Sequence, residues 1–94
     1  MLIFKELINQ NRVSDMSEKA FANILSIIVP PVVKMISDTY SISELDATRA
    51  FYDSALYSLL QDQSNGVWHF STLTLFNAYK QERETGSFEL PVEG

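Results

Sequence analysis

No cysteine occurs in the 94 residues of this chain. Disulfide staples, thiolate metal sites and a cysteine nucleophile are therefore excluded. The absence fits a reducing compartment, and a cytoplasmic location is expected. Glycine and proline are scarce, with three of each. A turn-rich β-sandwich, which needs a turn signal every 8–12 residues or so, is disfavoured. The glycines stand alone at Gly66, Gly86 and Gly94, so there is no glycine-rich phosphate loop and no nucleophile elbow. The single histidine, His69, cannot complete the usual zinc sphere without cysteine partners. The carboxylates lack calcium-loop spacing. No catalytic, cofactor-binding or metal-binding constellation emerges.

Basic charge is also short. Residues 1–40 carry four basic and four acidic side chains, whereas residues 41–94 carry three basic against eight acidic, giving the net charge of −5. An acidic half repels phosphate and argues against nucleic-acid binding, while a basic protein partner is compatible with it. A long apolar run is missing too. The most apolar window, residues 24–36, reads ILSIIVPPVVKMI and is interrupted by Ser26, Pro30, Pro31 and Lys34. It falls short of the roughly 20 apolar residues of a membrane span. The opening MLIFKELINQ is broken by Lys5 and Glu6, unlike a signal peptide. No membrane association is expected.

What is present is ordinary globular composition, 46 % hydrophobic and 20 % charged. The length suits one domain, able to bury roughly 60–70 % of its unfolded surface. Helical periodicity recurs along it. Leu2, Ile3, Phe4, Leu7 and Ile8 give a short helix or an N-terminal arm within residues 1–16. Ser14 or Ser17 caps the next helix, whose apolar face is Phe21, Ile24, Leu25 and Ile28. Pro30-Pro31 then either breaks the helix or kinks it, and a break is preferred because neither residue donates a backbone hydrogen bond. Val32, Val33, Ile36 and Tyr40 carry the following face.

Ser41 with Glu44 forms a candidate capping box, and Ser43 with Asp46 is the competing register. Asp53-Ser54 ends that helix and caps one holding Leu56, Tyr57, Leu59 and Leu60. Asn65-Gly66 is a strong turn signal, Val67–Phe70 reads as extended, and Ser71 or Thr72 caps a last helix stopped by Gly86. The expected fold is all-α: a compact bundle of about five short helices with a Pro30-Pro31 break. Residues 17–86 form its core, and residues 87–94 form a frayed acidic tail.

His69 is the one acid–base suspect, but Trp68 and Phe70 flank it and a packing role is expected. Trp68, His69 and Tyr57 are the candidate ligand pocket. The N-terminal half carries more apolar side chains than a small bundle can cover. Phe4, Phe21, Ile27 and Val29 are accordingly the candidate interface, for a homodimer or a small protein partner.

The span from about Val32 to Gly94 resembles a family of small uncharacterised bacterial helical proteins. The markers are Phe51-Tyr52-Asp53-Ser54, Leu56-Tyr57-Ser58-Leu59-Leu60, the run from Asn65-Gly66 through Leu75, Lys80 to Glu84, and Thr85-Gly86. The resemblance implies a cytosolic interaction module in a gene setting similar to toxin–antitoxin pairs, acting as an adaptor or antitoxin-like member. It carries no catalytic residue. The alternative reading is a small-ligand-binding domain or enzyme centred on His69 and Trp68.

Overall fold

The computed structural model describes residues 17–91. Four helices follow one another: α1 (Glu18–Tyr40), α2 (Glu44–Tyr52), α3 (Ala55–Leu60) and α4 (Thr72–Thr85). Two 3-10 turns, Gln63–Asn65 and Val67–His69, join α3 to α4. Among the described residues there is no strand, so the class is all-α, with four helices in place of about five. The short helix or arm expected within residues 1–16 lies outside the described residues.

The main departure from the sequence reading is at Pro30-Pro31. The preferred break does not occur, because α1 runs through both prolines as one helix of 23 residues. Val29, Val32, Val33 and Ile36 are all buried and lie at i, i+3, i+4 and i+7. They form one stripe only if helical register is kept through the prolines. Burying four such side chains is worth on the order of 6–12 kcal/mol, against about 3 kcal/mol for each interior proline. Pro30 and Pro31 themselves are exposed, as are Ser26 and Ile27, whose carbonyls lose their amide partners. The interruption in the hydrogen-bond ladder thus falls at exposed positions and not along the buried stripe.

Serine hydroxyls start all four helices. Ser17, Ser43, Ser54 and Ser71 accept from the amides of Ala20, Asp46, Tyr57 and Thr74. Each satisfies an amide that the first turn leaves without an intrahelical partner. The Ser43 register therefore replaces the Ser41–Glu44 box. Ser41 instead ends α1 in the left-handed conformation at φ 56°, its amide donating to the Ser37 carbonyl. Gly86 stops α4 at φ 89° and donates to the Glu82 carbonyl, the conformation that favours glycine after a helix.

The core forms where the second half of α1 meets the other elements. Val32, Ile36, Ala47, Phe51, Leu56, Leu60 and Leu75 have no solvent exposure at all. Phe51 stands at the centre, with Tyr57 and Tyr79 meeting it edge-on at 5.5 and 5.9 Å between ring centroids. Such edge-to-face pairs add roughly 0.5–1.5 kcal/mol beyond area burial. Phe88 and Leu90 pack against this core from beyond α4. The Glu89 amide donates to Gln81 Oε1 at 2.9 Å. Residues 87–91 therefore lie back along α4, and residues 92–94 of the expected tail fall outside the described residues.

Candidate functional site

The stretch after Asn65-Gly66 holds the rare residues. Gly66 adopts φ 76°, and residues Val67–His69 form a 3-10 turn in place of the expected extended segment. The tight turn buries Val67, half-buries Trp68 and leaves His69 exposed. Trp68 Nε1 donates to the Gln63 carbonyl at 2.9 Å, and the indole meets the edge of Phe21 at 5.8 Å. This contact ties the α3–α4 connection to the first turn of α1. The His69 ring stacks on Trp68 at 3.9 Å, packing on its face without entering the core. His69 lines none of the three cavities described below. The sequence grouped Tyr57 with Trp68 and His69, but Tyr57 lines a groove on α1 whose lining includes neither Trp68 nor His69.

That groove has a volume of about 420 Å³. Ala22, Leu25, Ser26, Val29 and Pro30 supply one wall from α1, and Tyr52 and Tyr57 supply the other. The two tyrosine rings lie tilted against each other, 4.7 Å apart. Burial, with Tyr52 nearby, raises the Tyr57 phenol above its ordinary pKa. Ser26 Oγ is already committed to the Asn23 carbonyl at 2.6 Å. The lining is otherwise apolar and aromatic, without a carboxylate, imidazole or cation for chemistry.

The outer side of α1 is a separate feature. Ile27 is 72 % exposed, with Ile24 half-buried and Pro31 exposed beside it. Ala20, Ile24, Ile27 and Pro31 fall at i, i+4, i+7 and i+11, the spacing of a coiled-coil seam. Lys34 and Asp38 continue the same row and pair with each other at 3.1 Å. That bond and the Asp38 charge raise the pKa of Lys34. Of the four residues predicted for the interface, Ile27 is exposed while Phe21 and Val29 are buried within the chain. Phe4 lies outside the described residues. Exposed apolar side chains thus occur on the seam (Ile27) and at the groove (Tyr52), and singly at Leu45, Leu59 and Leu73.

Two polar features complete the surface. The Glu82 carboxylate reaches from α4 to the start of α3, accepting from the amides of Ala55 at 2.8 Å and Leu56 at 3.0 Å. Ser54, buried, donates to the Phe51 carbonyl and accepts from the Tyr57 amide. Both amides that Ser54 cannot reach are thus capped by Glu82, a link that sequence reasoning missed. Nearby, the Arg83 guanidinium lies 4.0 Å from the Tyr40 ring centroid and donates to the Tyr79 hydroxyl at 3.2 Å. Tyr40 donates to Glu84 at 3.2 Å, so burial and that bond raise its pKa.

A cleft of about 520 Å³ beside Glu82 is lined by Asp46, Asp53, Ala50 and Arg83 among others. A third, of about 340 Å³, lies between α4 and the Glu89–Pro91 stretch. Among the described residues no group of three or more potential ligands is placed to hold a metal.

No family model, curated protein or solved structure matches this chain.

Proposed function

We propose that this chain is a non-catalytic interaction module that pairs with a second copy of itself along the outer seam of α1. The observation carrying this reading is Ile27, 72 % exposed at the middle of an apolar helix. Heptad spacing at Ala20, Ile24, Ile27 and Pro31 supplies the knobs that helix pairing needs. Charge supports a second copy as the occupant. Lys34 and Asp38, the charged residues of the seam row, pair with each other, so the seam is neutral while residues 41–94 carry the acidic excess. Antiparallel pairing about Ile27 sets Lys34 of one copy opposite Ala20 of the other, so no like charges meet across the seam. Like-charge repulsion then acts between the distal acidic halves and is screened at physiological salt.

In the setting that the family resemblance implies, this module is an adaptor or antitoxin-like member of a small gene pair in the cytoplasm. Sedimentation equilibrium of the full chain tests the pairing. The wild type is expected to dimerise and Ile27→Glu to stay monomeric with its fold intact. Leu45→Glu, at an exposed leucine off the seam, is expected to dimerise like the wild type. A wild type that is monomeric at every concentration overturns the proposal.

One observation favours a second reading. As a continuous helix, α1 is long and apolar enough to cross a membrane, and 28 % of its most apolar window is buried. Lipid would then cover the outer side that self-pairing otherwise covers. Co-flotation of the full chain with neutral phosphatidylcholine vesicles supports lipid and contradicts self-pairing in water.

A further inference from the structure

The groove between α1 and the Tyr52–Tyr57 corner is distinct from the seam and needs its own cover. On the helical repeat of 100° per residue, Ala22, Leu25, Ser26 and Val29 lie on the flank of α1 away from Ile24, Ile27 and Pro31. A second copy seated on the seam leaves this flank open. The lining is apolar or aromatic apart from Ser26, so it suits branched and aromatic side chains and offers nothing to hold a charged ligand.

We propose that this groove receives the chain's own residues 2–8. The sequence there, LIFKELI, places Ile3, Phe4, Leu7 and Ile8 at i, i+1, i+4 and i+5, with Lys5 and Glu6 between them. That spacing is the sequence pattern of one apolar helical face. Its position in the chain makes it the natural occupant. Residues 9–16 separate this face from the cap at Ser17. Eight residues span up to about 28 Å. The groove begins at Ala22, about 6 Å along the axis from Glu18, and ends at Pro30, about 18 Å along it. Every part of the groove is within the tether's reach. The tether also decides between this segment and a separate molecule. A short linker gives an effective concentration in the millimolar range, above that of a free partner at ordinary protein concentrations. A partner helix bound for the Tyr52–Tyr57 corner must first displace residues 2–8, which makes the segment a built-in competitor.

The absence of cysteine permits a clean test on the full chain. A nitroxide is attached through Lys5→Cys, or through Glu6→Cys as an independent second position, and amide signals are followed by NMR. The expected result is loss of at least half the signal intensity at Ala22, Val29, Tyr52 and Tyr57. That loss persists when the labelled chain is diluted in excess isotopically silent protein. Adding Phe4→Asp to the labelled chain restores those signals while the dispersion of the remaining spectrum is retained. Three outcomes overturn the proposal. The first is broadening that stops short of Ala22, and the second is broadening that vanishes on dilution. The third is broadening on isotopically visible chains when the nitroxide sits on separate silent ones, which assigns the groove to a second copy. The dilution step keeps this outcome distinct from failure of seam pairing, which Ile27→Glu reads separately.

Discussion

Glu82 offers the sharpest test of how this fold is held together. Its two carboxylate oxygens accept from Ala55 and Leu56 amides at 2.8 and 3.0 Å. These amides belong to the first turn of α3, a helix of six residues, too short to persist without tertiary support. A charge-assisted hydrogen bond contributes about 1.5–3 kcal/mol. The half-exposed setting of Glu82 puts the pair near the lower end. Glu82→Ala is therefore expected to cost roughly 2–3 kcal/mol, including the loss of a negative charge at a helix N-terminus. Glu82→Gln keeps one acceptor oxygen and is expected to cost about 1–2 kcal/mol.

For a domain of this size each kcal/mol lowers Tm by about 4–8 °C, well within the resolution of a thermal melt followed by circular dichroism. Urea titration gives the free energy independently, and Glu89→Gln serves as the control at an exposed carboxylate that caps nothing. Because Ser54 caps the same turn, Glu82→Ala and Ser54→Ala are expected to couple by at least about 0.5 kcal/mol in a double-mutant cycle. The reasoning fails if Glu82→Ala changes stability by less than about 0.5 kcal/mol, since that is the range of a neutral surface substitution.

Other expectations follow from single positions. Pro30→Ala restores one amide to the α1 ladder and should raise stability by about 1–2 kcal/mol, a fraction of the interior proline penalty; a lower urea midpoint would show that the proline fits the native helix better than alanine does. Gly86→Ala, at φ 89° with no atom within 4 Å of the new methyl group, should cost about 1–2 kcal/mol from backbone conformation alone, and a neutral result would remove the left-handed cap from the account. Burial raises the phenols of Tyr57 and Tyr40 above the ordinary tyrosine value of about 10. Their folded forms hold the proton more tightly than the unfolded chain does, so the associated stability is complete below pH 10 and declines as pH rises through the folded values. Ultraviolet titration of Tyr57→Phe should lose a late-titrating phenol, whereas loss of a phenol with the ordinary midpoint would contradict burial as the cause.

Local chemistry was legible in the sequence wherever its partner lay within a few residues. Ser17, Ser54 and Ser71 cap the helices they precede, and Asn65-Gly66 turns the chain. Gly86 ends α4 because each signal needs only its own helix end. The core stripes at Val32–Ile36, Ala47–Phe51 and Leu75–Tyr79 followed from spacing.

The failures share a cause in tertiary packing. Pro30-Pro31 obeyed a local rule that favours a break, but the stripe from Val29 to Ile36 is buried as one unit and holds the register. Between the Ser41–Glu44 and Ser43–Asp46 cap registers the sequence does not choose, because nothing local marks Ser41 for the left-handed end of α1. Val67–Phe70 looked extended by residue type, yet the turn brings Trp68 onto Phe21 and expels His69. Glu82 meets Ala55 across 27 residues, and no pattern within either helix announces that contact. For the functional surface, excess apolar character was legible as composition. Which apolar side chains stay exposed depends on the continuity of α1 through Pro30-Pro31, a tertiary outcome.

Oxidative cross-linking at Ile27 tests the seam most directly. An antiparallel pair puts a residue at its centre against its own copy across the two-fold axis. Paired helices lie about 8–10 Å apart, with facing side chains within disulfide reach. Under mild oxidation, full-chain Ile27→Cys should give a covalent dimer in high yield. Leu73→Cys, on an exposed leucine of α4, should remain monomeric. Equal cross-linking at both positions, or none at Ile27→Cys, would contradict pairing along α1.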